Sequence, residues 1–223
     1  MFHFPRDFST HLYEHFYLTV LTLGIALAIS LPLGFLISRY KPIQAPVLGV
    51  LGVIYTIPSL ALLAFLVPFL HLGTVPAVTA LVLYSLLTLV RNTAVGFGGV
   101  DPAVVEAARG MGMTSAQIFR RVELPLALPV IIAGMRITTL SIISLTTIAA
   151  WIGAGGLGQV LRDGVVNDDT NLQLLSVLAV TSIAVGADLI YRLIEWLNTA
   201  YLRVPRTSRL VAAVDEIEPV KTA

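Results

Sequence analysis

Long stretches without a charged side chain dominate the hydrophobic pattern of this 223-residue chain. Asp, Glu, Lys and Arg are missing from residues 15–38, 42–90, 137–161 and 170–187. A membrane-spanning helix needs about 20 apolar residues, so the stretch 42–90 is long enough for two spans. The pattern therefore predicts five transmembrane helices, at about 16–38, 45–70, 76–96, 130–152 and 172–197.

The second predicted helix is interrupted near its middle by the segment Tyr55-Thr56-Ile57-Pro58-Ser59. Proline removes a backbone hydrogen bond, and backbone groups freed inside a membrane must find partners within protein or in a water-lined cavity. Tyr55, Thr56 and Ser59 are therefore candidates for the wall of a translocation path. A kink that neighbouring helices satisfy is the alternative.

Further path candidates lie in the third and fourth predicted helices. They are Tyr84, Asn92, Ser141, Ser144 and Trp151. Hydroxyl side chains in the fourth helix recur at three-residue spacing, and small polar residues also let membrane helices pack closely. Aromatic residues in spans also serve as anchors at the membrane interface. Asn92 lies beside Arg91, so interfacial anchoring is the alternative to a path role for Asn92 as well. Helix packing or anchoring thus remains open for each of them.

Composition supports a membrane protein, since 57% of the residues are hydrophobic and only 12% are charged. Soluble domains contain about 25% charged residues. Cysteine is absent, which excludes disulfides and thiolate metal sites, and a net charge of +1 gives no reason to expect nucleic-acid binding. The predicted fold class is an all-α integral membrane protein of one domain, residues 1–203, with a poorly ordered tail at 204–223.

The positions of Lys and Arg predict the orientation of the helices, because cytoplasmic loops carry an excess of positive charge. An N-terminus outside and a C-terminus in the cytoplasm leave only Arg6 and Arg162 outside. The residues then placed in the cytoplasm are Arg39, Lys41, Arg109, Arg120, Arg121, Arg203, Arg206, Arg209 and Lys221, while Arg91, Arg136 and Arg192 lie near that side. The segment between the third and fourth helices is therefore expected in the cytoplasm, and residues 159–171 form an external loop.

That cytoplasmic segment, about residues 101–125, has the signals of two short helices. Asp101 is an N-cap residue followed by proline at the first helical position. Gly112 ends the first helix, and Thr114-Ser115-Ala116-Gln117 is typical of a capping box that starts a second. Pro125 is expected to end the second helix. Helices this short are marginal alone, so this segment must pack against the spans or against a partner.

The same segment carries a motif at fixed spacing. Glu106-Ala107-Ala108 is followed by Gly112 after three residues, by Val122 after nine more, and then by Leu124-Pro125. This resembles the cytoplasmic loop of bacterial ABC-importer permeases of the MetI-like family, which reads E-A-A, three residues, G, nine residues, I, one residue, L-P. Only the isoleucine departs, to valine, which keeps an apolar β-branched side chain.

The resemblance implies a multi-pass permease subunit in the bacterial cytoplasmic (inner) membrane. In that family the loop helices dock on two ATP-binding subunits, whose closure on ATP drives alternating access. ATP and Mg are then bound by those partners, and no cofactor, metal or catalytic residue is expected in this chain. A second permease subunit, identical or paralogous, membrane lipid and an extracytoplasmic substrate-binding protein complete the expected partners. Arg109, Arg120 and Arg121 are expected to meet acidic groups of the ATPase.

The wider sequence, from about residue 20 to 195, resembles the osmoprotectant branch of this family. The matching stretches are "YTIPSLALLAFLVPFLHLGTVPAV", "LVRNTAVGF", "GVDPAVVEAARGMGMT", "RRVELPLALPVIIAGMR" and "IGAGGLG". This implies import of glycine betaine, choline, carnitine or a similar quaternary amine. Methionine permeases share the five-span layout and the "GAGGLG" segment, so an amino acid such as methionine is the alternative substrate.

Two other functional classes of membrane protein would require features that are scarce in this sequence. An ATP-independent secondary transporter or channel predicts buried ionisable residues or an internal repeat. Asp188 lies in the inner half of the last predicted helix, and Arg192, one turn on, is its expected partner. A membrane-embedded enzyme would need a convergent catalytic set, whereas the histidines are scattered on the expected outer side.

Overall fold

The computed structural model describes residues 7–202, which are helical with short connections and contain no strand. The helices are α1 (Phe8–Arg39), α2 (Lys41–Thr56), α3 (Ser59–Leu70), α4 (Thr74–Gly98), α5 (Pro102–Gly110), α6 (Ser115–Ile118), α7 (Leu124–Ala149), α8 (Leu157–Val166) and α9 (Thr170–Leu202). Arg6, Arg203 and the tail predicted at 204–223, with its basic residues, lie outside the described residues.

The bundle has two ends, which its contacts identify. At the loop end, where α5 and α6 lie, Arg39 closes α1 and pairs with Glu123 just before α7. At the glycine end, named for Gly153–Gly158, Glu14 near the start of α1 accepts a 2.8 Å hydrogen bond from the Gly156 amide. The α4 helix is apolar on nearly all sides and lies between α1, α7 and the α2–α3 pair. It is therefore the centre of the core.

The α2–α3 pair crosses the bundle as one broken span. The two helices meet at Ile57–Pro58 with a bend of 94°. Lys41 follows α1 at the loop end, whereas the Gly73 amide donates to the Ile152 carbonyl (2.9 Å) at the glycine end. The span predicted at about 45–70 is thus two helices that meet at the proline segment noted in the sequence, because Pro58 cannot continue the hydrogen bonding of α2. Together with α1, α4, α7 and α9, this pair gives five crossings among the described residues.

The prediction that Pro125 ends a short second loop helix is wrong. A widened π turn, Phe119–Glu123, joins α6 directly to α7, where Pro125 occupies the first turn. A π turn closes i→i+5 hydrogen bonds, so the extra residue gives the proline ring room in the helix. Residues Ser115–Ile152 therefore form one continuous helix of 38 residues from the loop to the glycine end.

Two more boundaries differ from expectation. The external loop predicted at 159–171 is largely helix α8, whose amphipathic pattern buries Leu157 and Val160. The first span begins at Phe8 rather than at residue 16, since hydropathy marks only the apolar part of a helix. The polar first turns of α1 are held by the Glu14 contact with Gly156 described above.

The contact between α1 and α4 depends on Gly34. A Cβ atom at this position would lie 2.5 Å from the Thr93 Cβ and 2.9 Å from the Val90 carbonyl oxygen. Small residues allow membrane helices this close approach. The absence of a side chain at Gly34 therefore sets the distance between the two helices.

Gly34→Ala is expected to lower the free energy of unfolding in detergent by about 1–3 kcal/mol, because the added methyl overpacks the α1–α4 contact. Gly24→Ala is the matched control, since Gly24 lies in the same helix and an added Cβ meets nothing within 4 Å. We expect the control to be neutral or more stable by up to about 1 kcal/mol. Thermal unfolding of both purified variants checks this, and equal stabilities would contradict the role of Gly34.

Candidate translocation path and docking loop

A cavity of about 650 Å³ lies at the break between α2 and α3. Its walls come from the break itself and from the middle of α4 and α7. The lining residues are Tyr55, Thr56, Ile57, Pro58, Ser59, Tyr84, Ser85, Thr88, Thr138, Leu140, Ser141, Ile142, Ser144 and Leu145. None of these described lining residues is charged, and each of the polar ones carries a hydroxyl. The cavity is thus uncharged, and its wall combines hydroxyl-bearing and apolar side chains.

Tyr84 ties α4 to the helix break. Its hydroxyl donates a hydrogen bond to the carbonyl oxygen of Ile57, which is in an extended conformation at the end of α2. The bond satisfies a backbone acceptor that the proline break leaves without a helical partner. The Tyr55 ring meets Tyr84 edge to face, with 5.8 Å between centroids and 71° between planes. This arrangement fixes both rings at the cavity wall.

Several hydroxyls in the lining are satisfied within their own helices. Ser85 donates to the Leu81 carbonyl at 2.7 Å, and Ser141 donates to the Ile137 carbonyl at 3.0 Å. Thr138 differs, because its Oγ1 is buried and has no hydrogen-bond partner among the described residues. Its hydroxyl is therefore a buried group whose hydrogen-bonding capacity the described residues leave unused.

Six of the eight predicted path residues line this cavity, which brings together Tyr55, Thr56, Ser59, Tyr84, Ser141 and Ser144. Asn92 lies outside the lining, where its side chain donates to the Thr88 carbonyl (2.8 Å) and packs against Gly134 of α7. Trp151 is exposed at the glycine end. Ser85, Thr88 and Thr138 were not among the predicted site residues, although each lies within about one helical turn of a predicted one. A transport role for all of them stays a prediction.

The docking loop, residues 101–118, has the local structure that its capping residues predict. The Asp101 carboxylate accepts from the Ala103 amide at 2.8 Å, and Arg109 pairs with Glu106 at 2.6 Å. Thr114 and Gln117 form the predicted capping box. Gly112 has a φ of 80° in the turn between α5 and α6, a conformation that favours glycine.

The motif residues divide into an exposed and a buried set. Exposed to solvent are Glu106, Ala107, Arg109, Gly112, Arg120 and Arg121. Half-buried are Val122, Leu124 and Pro125. Ala108 is only 2% exposed and packs inward, so of the two motif alanines only Ala107 lies on the free surface.

A cluster of five residues joins the docking loop to the spans. This junction cluster comprises Phe35 and Arg39 of α1, Phe97 of α4, and Phe119 and Glu123 of the π turn. The three phenylalanine rings have centroid separations of 4.9, 5.4 and 5.8 Å. Arg39 lies 5.0 Å over the Phe35 ring and pairs with Glu123, whose side chain is 7% exposed. The π turn therefore contacts both α1 and α4.

An ion-pair network connects α7 to α9. Arg136 donates to Asp188 at 2.6 Å and to Glu195 at 3.4 Å, and Arg192 donates to Asp188 at 2.7 Å. The predicted Asp188–Arg192 contact is confirmed. The contact with Arg136 was not predicted, because 52 residues separate the two partners in sequence. Pairing of this kind lowers the cost of ionised groups inside a membrane.

Comparison with known proteins shows the family of this chain. A model of the binding-protein-dependent transport system inner membrane component matches residues 21–198. The carnitine transport permease protein OpuCB of Listeria monocytogenes is 40% identical over 172 residues, covering 77% of this chain and 79% of that protein. The osmoprotectant import permease protein OsmW of Salmonella typhimurium is 43% identical over 187 residues, covering 81% and 87%.

A solved structure has the same fold. The inward-facing MetNI methionine ABC transporter contains a chain that superposes with a TM-score of 0.77, covering 86% of this chain and 95% of that chain, at 22% sequence identity. At this identity the likeness concerns the fold alone. The expected MetI-like fold is confirmed, and the chain is a non-catalytic permease subunit. The chain therefore belongs to the family of binding-protein-dependent transport system inner membrane components.

Proposed function

We propose that this chain is the permease subunit of an ABC importer that moves a quaternary-ammonium osmoprotectant through the cavity at the α2–α3 break. Two ATPase subunits bind ATP and Mg, a second permease subunit, identical or paralogous, closes the path, and an extracytoplasmic binding protein delivers the solute. The relatives named for osmoprotectant and carnitine transport support this substrate class.

The observation that carries the proposal is the continuous helix Ser115–Ile152. Its first turn belongs to the docking loop, and its segment from Thr138 to Leu145 forms one wall of the cavity. At 1.5 Å per residue, about 30 Å of helix connects Ile118 with Thr138. A movement applied to the loop by an ATPase therefore reaches the cavity wall through one continuous helix.

The exposed surface of the docking loop suits an ATPase groove. Helix α5 presents Ala107 beside the Glu106–Arg109 pair, and Arg120 and Arg121 lie next to it. A short amphipathic helix with a small central residue fits a groove on a partner protein. The arginines supply positive charge for acidic groups along its rim.

The loop end faces the cytoplasm in this proposal. Arg39, Lys41, Arg109 and the Arg120–Arg121 pair lie at that end, whereas Arg162 lies in α8 at the glycine end. This distribution agrees with the excess of positive charge on the cytoplasmic side of membrane proteins. The binding protein then meets the glycine end.

The substrate class is tested with the assembled transporter in lipid vesicles that enclose ATP. We expect the binding protein loaded with carnitine, choline or glycine betaine to stimulate ATP hydrolysis and uptake. Methionine, tested with the same binding protein, should stimulate neither. Stimulation by methionine alone would contradict the osmoprotectant assignment, and uptake that persists without ATP would contradict the ABC mechanism.

A further inference from the structure

We propose that Tyr55 and Tyr84 form a cation–π binding site, inside this chain, for the quaternary ammonium group of the transported solute. Thr138 binds the polar group at the solute's other end. This inference rests on the proposed function, because it assumes a solute with a quaternary ammonium group. It adds a solute site in the membrane subunit itself.

The chemistry of the cavity favours an aromatic site. A quaternary ammonium group has no N–H to donate, so it gains little from hydroxyls, and the described lining offers no carboxylate. An aromatic face attracts such a cation within about 6 Å of the ring centroid. Tyr55 and Tyr84 are the aromatic residues of the lining.

The position and inclination of the two rings suit a quaternary ammonium ligand. Tyr84 is 9% exposed and fixed by its hydrogen bond to the Ile57 carbonyl, whereas Tyr55 is 49% exposed. Their planes are inclined by 71°, so the rings form two sides of a corner at the helix break. Tyr84 sets the position of the corner, and Tyr55 offers most of the free ring surface.

Thr138 supplies the complementary polar contact on the wall that α7 forms. Its residue is 2% exposed, it lines the cavity, and its Oγ1 has no partner among the described residues. A buried hydroxyl without a partner is unfavourable, and it can donate to a carboxylate or accept from a hydroxyl. A solute with an ammonium group at one end and an oxygen group at the other matches these two walls.

A neutral site of this kind binds weakly, which suits a transport path. Transport requires binding that is favourable enough for entry and weak enough for release. Cation–π contacts change affinity by about twofold to thirtyfold, depending on exposure. The tyrosines therefore give selectivity without trapping the solute.

The test uses the purified transporter with its co-expressed partner subunits, in nanodiscs and without binding protein. Binding of choline and of its neutral isostere 3,3-dimethylbutan-1-ol is measured by NMR line broadening. We expect Tyr55→Leu to weaken choline binding about five- to thirtyfold and to change isostere binding little. Tyr55→Phe keeps the ring and should retain choline binding. Equal losses for both probes, or no loss for choline, would overturn the site.

A fluorination series at position 55 keeps the fold and changes only ring electrostatics. Phenylalanine with one, two and three ring fluorines should weaken choline binding stepwise, because fluorine withdraws the negative charge of the ring face. Thr138→Val should weaken carnitine binding while leaving tetramethylammonium, which lacks the polar group, unaffected. A flat fluorination series, or a Thr138→Val loss shared by tetramethylammonium, would contradict the assignment.

The inference and the proposed function can fail separately. If the wild-type transporter takes up no quaternary amine, the proposed function is wrong. If the wild type takes up choline and the Tyr55 variants bind it normally, the function stands and the aromatic site is wrong.

Discussion

Gly112→Val is expected to lower ATP-driven uptake about tenfold or more while the helix bundle stays folded. Gly112 has a φ of 80°, and a β-branched residue in this region costs about 1–3 kcal/mol of strain. The loop relieves that strain by turning α5 relative to α6, which misplaces Ala107 and the Glu106–Arg109 pair. A free-energy change of about 1.4 kcal/mol corresponds to a tenfold change in affinity, so docking of the ATPase weakens accordingly.

Gly110→Ala is the matched control for this variant. Gly110 lies in helical conformation at the end of α5, two residues away, and an added Cβ meets nothing within 4 Å. We expect it to assemble and transport like the wild type. Uptake in ATP-loaded vesicles and co-purification of the ATPase subunits measure both variants. Normal uptake and normal co-purification by Gly112→Val would contradict the docking role of the loop.

Arg39→Ala is expected to destabilise the protein by about 1–3 kcal/mol and to impair uptake. It leaves the Glu123 carboxylate, whose side chain is 7% exposed, without its cationic partner. Unpaired buried charge is costly, and the 46% exposure of Arg39 limits the loss through solvent screening. Because the pair joins α1 to the π turn, the connection between docking loop and spans loosens as well.

A double-mutant cycle separates this pair from general damage. Glu123→Ala removes the buried charge, so Arg39→Ala should cost at least about 1 kcal/mol less in that background than in the wild type. Arg109→Ala is the control for unfolding, since it breaks an ion pair with both side chains more than 60% exposed, and such pairs contribute less than about 1 kcal/mol. Thermal unfolding gives the energies. Additive costs for Arg39 and Glu123 would contradict their coupling.

The sequence predicts the spans and the docking loop because the signals for both are local. Charge-free stretches mark α1, α4, α7 and α9, since an apolar segment of that length needs no tertiary context to be recognised. The capping box at Thr114 and the Glu106–Arg109 pair also depend only on residues a turn apart. The break at Pro58 is also a local signal, so the sequence predicts its position but not the angle between α2 and α3.

Features that depend on distant partners could not be predicted in this way. Pro125 alone predicts the end of a helix. The helix stays continuous because of the π turn beside it, in which Glu123 is buried against Arg39. The pairing of Arg136 with Asp188 joins two spans whose relative rotation no local pattern contains. The cavity likewise exists only because the broken α2–α3 pair lies against α4 and α7.

The uncharged lining of the cavity has a consequence for the energy source of transport. Moving one elementary charge through a membrane potential involves about 2.3 kcal/mol per 100 mV. A zwitterion such as carnitine or glycine betaine carries no net charge, and the described lining residues add none. The membrane voltage therefore does no work on such a solute along this route, whereas it assists the inward movement of choline, a cation. Under the proposed function, accumulation of the zwitterions then depends on ATP hydrolysis alone, and their uptake should not respond when the voltage is collapsed.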